Sequence, residues 1–131
     1  MPEYAYSGLR RPLRLPVVWV GSSREALKAC PEPVQSVIGK ALLQMQLGQV
    51  PRAGKRLKGN LGGLVELVDD FEGDTYRAVC TAKLAGAIYV LHVFQKKSTH
   101  GIATPTRVTN LILQRLRRAE AHHAAYFGEE A

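Results

Sequence analysis

The sequence predicts a single α+β domain, in which a short N-terminal strand and two helices pack on an antiparallel sheet that is followed by a C-terminal helix. The chain has 131 residues, of which 46% are hydrophobic, and this suffices for one hydrophobic core. Three strand-like segments separated by glycine-containing turns lie together in its second half. Apolar residues at helical spacing stand before and after these segments, which predicts helices on both sides of the sheet in sequence.

The N-terminal part is predicted to contain one strand and two helices. Residues 17–20 are β-branched or aromatic, as is typical of a strand. Ser23 is expected to cap a short helix over residues 24–29. After Pro33, apolar residues recur three and four positions apart as far as Leu47, and this spacing predicts an amphipathic helix.

The sheet is predicted from residues 64–69, 75–82 and 87–95, which should form an antiparallel meander. The third segment is apolar on both sides, as expected of a central strand covered on both faces. Strict alternation assigns Ile88, Val90, His92, Phe94 and Lys96 to one side and Tyr89, Leu91 and Val93 to the other. The preceding residues 49–63 are rich in glycine, proline and basic residues and are expected to form a basic loop.

The last helix is predicted to begin at Thr104 and Pro105, because threonine can cap free N–H groups and proline suits the first turn. It should fray from Ala124 onward. Its apolar face carries Val108, Leu111, Ile112, Leu116 and Ala119, and its basic face carries Arg107, Gln114, Arg117 and Arg118.

The composition indicates what the protein binds and where it acts. A net charge of +7 favours a polyanionic ligand, with nucleic acid first and an anionic membrane or an acidic protein as alternatives. The sequence shows no signal peptide and no membrane span, so a cytoplasmic protein is expected. We expect residues 1–16 to form an irregular arm, residues 17–125 one domain and residues 126–131 a flexible tail.

Metal and thiol chemistry are not expected, and no cofactor is predicted. Cys30 and Cys80 lie far apart without the spacing of a zinc site, and Cys80 stands in an apolar run typical of a core. His122 and His123 point to different sides of a helix near its end. We therefore expect them to belong to a solvated tail and not to a metal site.

The candidate site is a set of basic residues. They are Lys55, Arg56 and Lys58 in the basic loop, Arg77 in the second strand of the meander, and His92, Lys96 and Lys97 in or after the third. A guanidinium inside a strand is costly without a partner, so Arg77 must pair with an acid such as Glu66, face an open groove, or do both. His92 is either a core residue or a general base. At most one of Lys96 and Lys97 shares the side of Arg77, since side chains alternate along a strand.

Fixed cations without a metal suit the cleavage of RNA by its own 2′-hydroxyl group. Arginine and lysine can stabilise the negative charge that builds up on the phosphate. A lysine or histidine whose pKa is lowered by neighbouring cations could remove or supply the proton. The basic residues are therefore compatible with a metal-independent endoribonuclease.

The C-terminal half of the chain closely resembles the signature of the phage-derived RelE-like toxin family, which includes many HigB-type toxins. The matching residues are Tyr89-Val90-Leu91-His92-Val93-Phe94-Gln95-Lys96-Lys97-Ser98 and Gly101-Ile102-Ala103-Thr104-Pro105. Upstream, Arg56-Leu57-Lys58-Gly59, Val65-Glu66-Leu67 and Tyr76-Arg77-Ala78-Val79 match in order and approximate spacing. The resemblance covers residues 17–120.

This resemblance implies a RelE-like fold and the toxin of a type II toxin–antitoxin system. Such a toxin cleaves mRNA, often on the ribosome, and is neutralised by a helix-turn-helix antitoxin, with which it can form a higher-order complex. Lys58, Arg77 and Lys96 or Lys97 match positions at which these toxins keep phosphate-binding or catalytic cations. His92 matches a recurrent strand position whose role the resemblance does not assign.

One residue departs from the family pattern and keeps two alternatives open. Relatives often carry Glu-Leu-Arg where this chain has Glu66-Leu67-Val68, so a cation is missing beside the predicted groove. The first alternative is a ParE-like toxin that inhibits DNA gyrase by protein binding. The second is a non-catalytic, nucleic-acid-binding protein of the same fold.

Overall fold

Three helices and five strands make up the part of the protein that the computed structural model describes, residues 14–97 and 105–127. The strands are β1 (Val17–Trp19), β2 (Gly54–Arg56), β3 (Leu64–Phe71), β4 (Asp74–Thr81) and β5 (Ile88–Lys97). The helices are α1 (Ser23–Lys28), α2 (Glu32–Gln46) and α3 (Thr106–Tyr126). This order of elements confirms the predicted α+β class. The arm up to residue 13 and the predicted cap Thr104 lie outside the described residues.

The five strands form one mixed sheet with the order β1-β5-β4-β3-β2. β3, β4 and β5 are the predicted antiparallel meander, whereas β1 lies parallel to β5. β2 pairs with the outer edge of β3 and comes from the segment that the sequence predicts to be a loop. The prediction of a loop throughout residues 49–63 is therefore wrong. The glycine and proline content of this segment indicates only its tendency to form turns. The N–H and C=O groups along the outer edge of β3 would be unpaired without β2, and this favours a partner strand.

α1 and α2 cover one face of the sheet. The core between them consists of Val34, Ile38, Ala41 and Leu42 on α2 and Leu67, Tyr76, Ala78, Cys80, Ile88, Val90 and Val93 on the sheet. The sequence predicts that Ser23 caps α1, but this is wrong, because Ser23 is the first residue of the helix. Its buried hydroxyl instead donates a hydrogen bond to the Val90 carbonyl at 3.0 Å. That bond ties α1 to β5.

α3 covers the opposite face of the sheet with its predicted apolar side. Ile112 and Ala119 are buried there, and Val108 and Leu116 pack beside them. Their partners are Val20, Leu64, Val79, Ala87, Tyr89 and Leu91. The opposite side of α3 is exposed, as predicted, and carries Arg107, Gln114, Arg117 and Arg118. None of the helices in the described part is both long and apolar enough to cross a membrane.

Two histidines hold the end of α3 to β5 and to the turn before it. The Tyr89 hydroxyl and His122 Nδ1 are hydrogen-bonded at 2.7 Å, and His123 Nε2 donates to the Ala85 carbonyl at 2.6 Å. The helix consequently continues through Tyr126. The prediction that the helix frays from Ala124 is wrong, because both partners of the histidines lie more than thirty positions away, out of reach of local patterns. The end of the helix is exposed to solvent, as predicted.

A bulge in β5 changes which residues of the central strand face α3. The consecutive residues Val79 and Cys80 of β4 pair with His92 and Val90, which leaves Leu91 as an extra residue on β5. Beyond the bulge the alternation is reversed, so that residue 93 packs under α1 and α2 and residue 94 packs under α3. The predicted division of faces is wrong from this point on, because strict alternation assumes an uninterrupted ladder.

Candidate functional site

The sheet face under α3 becomes polar toward the end of β5. Arg77 on β4 lies between Val68 on β3 and Phe94 on β5 in the strand register. The adjacent positions of β5 on the same face are His92 and Lys96. We call this surface the basic face and define it by Arg77, His92, Phe94 and Lys96. The structure thus brings three of the basic residues singled out in the sequence onto one surface.

Arg77 forms an ion pair with Glu66 on the neighbouring strand. Its Nη1 donates to Glu66 Oε1 at 2.5 Å, and the side chains of Arg77 and Glu66 are 20% and 6% exposed. The predicted ion pair is confirmed. Arg77 Nε is buried and has no hydrogen-bond partner among the described residues. The carboxylate therefore fixes the guanidinium, while a fifth of the Arg77 side chain still reaches solvent.

His92 is half-buried between an aromatic ring and a cation. Its ring stacks on Phe94 with 4.9 Å between the centroids and 14° between the planes. Arg115 Nη1 lies 3.4 Å from His92 Nδ1. Burial, and then the charge of Arg115, lower the pKa of His92 below its usual value. The imidazole is consequently neutral at neutral pH.

Arg115, like Phe94, is a residue of this site that was not among the candidates singled out in the sequence. It reaches inward from α3 and donates from Nη1 to the Leu91 carbonyl at 2.9 Å. Burial and the neighbouring Arg118 lower its pKa, although an arginine remains charged at any physiological pH. The helical spacing could have identified Arg115, because it lies three residues after Ile112 and four before Ala119. Residues at this spacing share one side of a helix, here the apolar side.

The other predicted cations lie at different places. Lys55 on β2 stands opposite Glu66 in the register and therefore belongs to the same side of the sheet as Arg77. Arg56 stands opposite Val65, which packs against the core under α1 and α2, so the structure does not bring Arg56 to the basic face. Lys58 is exposed and precedes a short 3-10 turn. Lys97 pairs with residue 74 in the register, and its side chain lies outside the described part.

The described part of the chain holds neither a metal-binding cluster nor a reactive buried thiol. Within residues 14–97 and 105–127, no group of three or more His, Cys, Asp and Glu side chains is placed to hold a metal ion. Cys80 is fully buried, as predicted, and burial raises the pKa of its thiol to about 12. A thiol with that pKa carries almost no thiolate at neutral pH, so Cys80 does not act as a nucleophile.

A cavity lies near the β2 edge of the sheet. It has a volume of about 320 Å³ and opens between the end of α2, β2 and the chain before β5. Most of its lining is apolar and includes Leu15, Met45, Pro51, Val65 and Ile88. None of the four residues that define the basic face lines it, although the predicted cations Lys55 and Arg56 do.

Comparison with known proteins links the chain to a protein family and to solved structures. Among solved structures it is similar to a chain of the toxin–antitoxin complex RelBE2 of Mycobacterium tuberculosis, with 20% sequence identity and a TM-score of 0.45. That alignment covers 64% of this chain and 93% of the other. No curated protein matches the sequence.

The family match is to the model described as phage-derived protein Gp49-like, over residues 25–117. The matched segment runs from α1 into α3 and contains the whole basic face. It confirms the phage-derived family to which the resemblance of the C-terminal half points, whereas the HigB-type assignment stays a prediction. Because the family model spans more than half of the sequence, this chain belongs to the phage-derived Gp49-like protein family.

Proposed function

We propose that this protein is the toxin of a type II toxin–antitoxin system and cleaves mRNA on the ribosome as a metal-independent endoribonuclease. The observation that carries the proposal is the basic face, where a guanidinium, an imidazole and an ammonium group lie on adjacent strands around one aromatic ring. Membership of the phage-derived family and the resemblance of residues 89–105 to RelE-like toxins support it. The net charge of +7 favours RNA as the ligand.

Arg77 and Lys96 are assigned to the scissile phosphate. When the 2′-oxygen of RNA attacks the neighbouring phosphorus and the 5′-oxygen leaves, negative charge builds up on the nonbridging phosphate oxygens. The guanidinium of Arg77 is already held by Glu66, and donors that are fixed in advance stabilise such charge without reorganising. Lys96 lies on the same face of the sheet and supplies a second positive charge.

Phe94 and His92 are assigned to the nucleotide beside that phosphate. Their rings are stacked and half-buried, so that part of each ring reaches solvent. Stacking of a base on an aromatic side chain is worth about 1–3 kcal/mol in single-strand complexes. Lys55 and Lys58, which are exposed near the β2 edge of the sheet, are assigned to the RNA backbone, and Lys97 stays a predicted member of the site.

The proposal includes a protein partner. A toxin of this kind is neutralised by an antitoxin, here expected to be a helix-turn-helix protein encoded beside it. Expression of the chain alone should stop the growth of a bacterial host, and co-expression of the antitoxin should restore it. Growth inhibition that the basic-face variants retain in full would separate toxicity from RNA cleavage and contradict this assignment.

Cleavage of ribosome-bound mRNA in the presence of EDTA tests the reaction. The wild-type chain should cut the mRNA, and Lys96→Ala should lower the rate by about 100-fold, the usual cost of one charge-stabilising donor. Arg77→Met is made together with Glu66→Leu, so that no buried carboxylate is left unpaired, and should cause a loss at least as large. Arg117→Ala on the exposed side of α3 is the matched control. Intact mRNA after incubation with folded wild-type protein would overturn the proposal.

A ParE-like gyrase inhibitor is the second candidate, and Val68 is the observation that favours it. Val68 faces Arg77 in the register at a position where relatives often carry arginine, so the basic face has one cation fewer. This candidate predicts stalled gyrase–DNA complexes in an expressing cell and no mRNA fragments, which a gyrase cleavage assay measures. RNA binding that weakens steeply with salt, without either product, would instead indicate a non-catalytic nucleic-acid-binding protein.

A further inference from the structure

Arg115 joins three parts of the fold that are distant in sequence. From α3, its Nη1 donates to the Leu91 carbonyl at 2.9 Å, and its Nη2 donates to Ser22 Oγ at 3.2 Å. The first acceptor belongs to the bulge of β5 and the second to the residue that precedes α1. Two hydrogen bonds therefore fix the guanidinium, and neither of them involves a titrating group.

The same guanidinium nitrogen lies 3.4 Å from Nδ1 of His92. A guanidinium carries five N–H donors and no acceptor, and it keeps its proton in proteins. A proton on His92 Nδ1 would point at a proton of Arg115, so this ring nitrogen must be the acceptor. A neutral His92 then carries its single proton on Nε2.

The surroundings of His92 keep the ring in its neutral form. The charged group that faces it is Arg115, and burial together with this charge lowers its pKa. Phe94, which stacks on the ring, and Val79, which lies opposite His92 on β4, do not titrate. Neither neighbour competes with Arg115 for a ring nitrogen.

Arg115 can occupy this position because residue 21 is glycine. Gly21 has a φ of +59°, and a Cβ atom placed on it would lie 2.8 Å from both Cζ and Nε of Arg115. Any larger residue would push the guanidinium away from its acceptors, and it would also be strained at this φ. The turn after β1 is thus shaped to admit the arginine.

We infer that Arg115 is a positioning residue, which fixes His92 as the neutral ring protonated on Nε2, so that His92 meets RNA as a hydrogen-bond donor and not as a general base. The part of this inference that concerns RNA rests on the proposed function, whereas the protonation of the ring does not. It follows that the 2′-hydroxyl proton is removed by a group other than His92.

Nitrogen NMR of the full-length chain with ¹⁵N-labelled histidine measures the protonation directly. His92→Gln identifies the His92 signals. In the wild type above the pKa of His92, Nδ1 should show the shift of an unprotonated nitrogen and Nε2 that of a protonated one. Arg115→Met should remove this preference, bring both shifts to intermediate values and raise the pKa of His92. Arg117→Met, which removes an exposed arginine from the same helix, should leave both quantities unchanged.

Gly21→Ala provides a second route that keeps the arginine in the chain. It should displace the guanidinium and reproduce the loss of preference seen with Arg115→Met, in a protein whose folding is checked by circular dichroism. A protonated Nδ1 in the wild type would overturn the inference, and so would an unchanged preference in folded Arg115→Met and Gly21→Ala. RNA cleavage is measured on the same samples. An inactive wild type with a protonated Nε2 contradicts the proposed function alone, and an active wild type with a protonated Nδ1 contradicts this inference alone.

Discussion

The two faces of the sheet use the same strands and differ in what their side chains do. On the face under α1 and α2, Leu67, Ala78 and Val90 are completely buried in an apolar core. On the face under α3, an apolar part gives way to an ion pair and a half-buried imidazole. Because neighbouring residues of a strand point to opposite sides, one face can supply stability while the other keeps polar groups.

The cost of truncation should differ most between two adjacent residues of β3. Leu67 is 0% exposed in the core under α2, whereas Val68 is half-buried on the other side beside Arg77. Leu67→Ala should lower the free energy of unfolding by about 2–5 kcal/mol, because it leaves a cavity in a packed core. Val68→Ala should lower it by less than about 1.5 kcal/mol, since its site is already open. Urea unfolding of both variants checks this, and equal losses would show that the faces are equally packed.

Removal of one partner of the ion pair should have the next largest effect. Glu66→Ala leaves the Arg77 guanidinium without its carboxylate and should cost about 2–3 kcal/mol, less than for a fully buried pair because Arg77 is 20% exposed. The double change Glu66→Leu and Arg77→Met should recover most of this loss in urea unfolding while it abolishes RNA cleavage. Recovery of stability together with full activity would mean that the pair has no part in the site.

The smallest effect should be a dependence of stability on pH that His92 contributes. Its pKa is lowered in the folded protein, so below the ordinary histidine pKa of about 6.5 the unfolded chain takes up a proton that the folded ring does not. The wild type should therefore lose stability relative to His92→Gln as the pH falls from 7.5 to 5, and the two should run parallel above 7.5. Urea unfolding at several pH values measures this difference. A constant difference across the whole range would contradict the lowered pKa.

Elements with a local period were predictable from the sequence. The three- and four-residue spacing in α2 and α3 and the β-branched runs of β3, β4 and β5 act over a few residues, so their bounds agree closely with the prediction. β2 could not be predicted, because its residues form a strand only through their pairing with the outer edge of β3. The bulge at Leu91 depends likewise on the partner strand, and it alone moves Phe94 to the side of Arg77.

The part of the site that could be predicted is the charged residue inside a strand. Arg77 stands out because a guanidinium in an apolar strand needs a partner. Glu66 supplies it, two positions before Val68, the residue that lies opposite Arg77 on β3. Arg115 was concealed among the other arginines of α3, although its place on the apolar side was readable. Its acceptors are a carbonyl at the bulge and a serine before α1, which become neighbours only in the finished fold.

The parallel pairing of β1 with β5 bears on when the sheet can be completed during synthesis of the chain. The Ser23 hydroxyl and the Val90 carbonyl that it contacts are 67 positions apart in the chain. At a translation rate of roughly 5–20 residues per second, the early strand waits several seconds for its partner. A nascent chain therefore cannot complete its sheet until β5 has been synthesised, because β5 lies between β1 and the rest of the sheet.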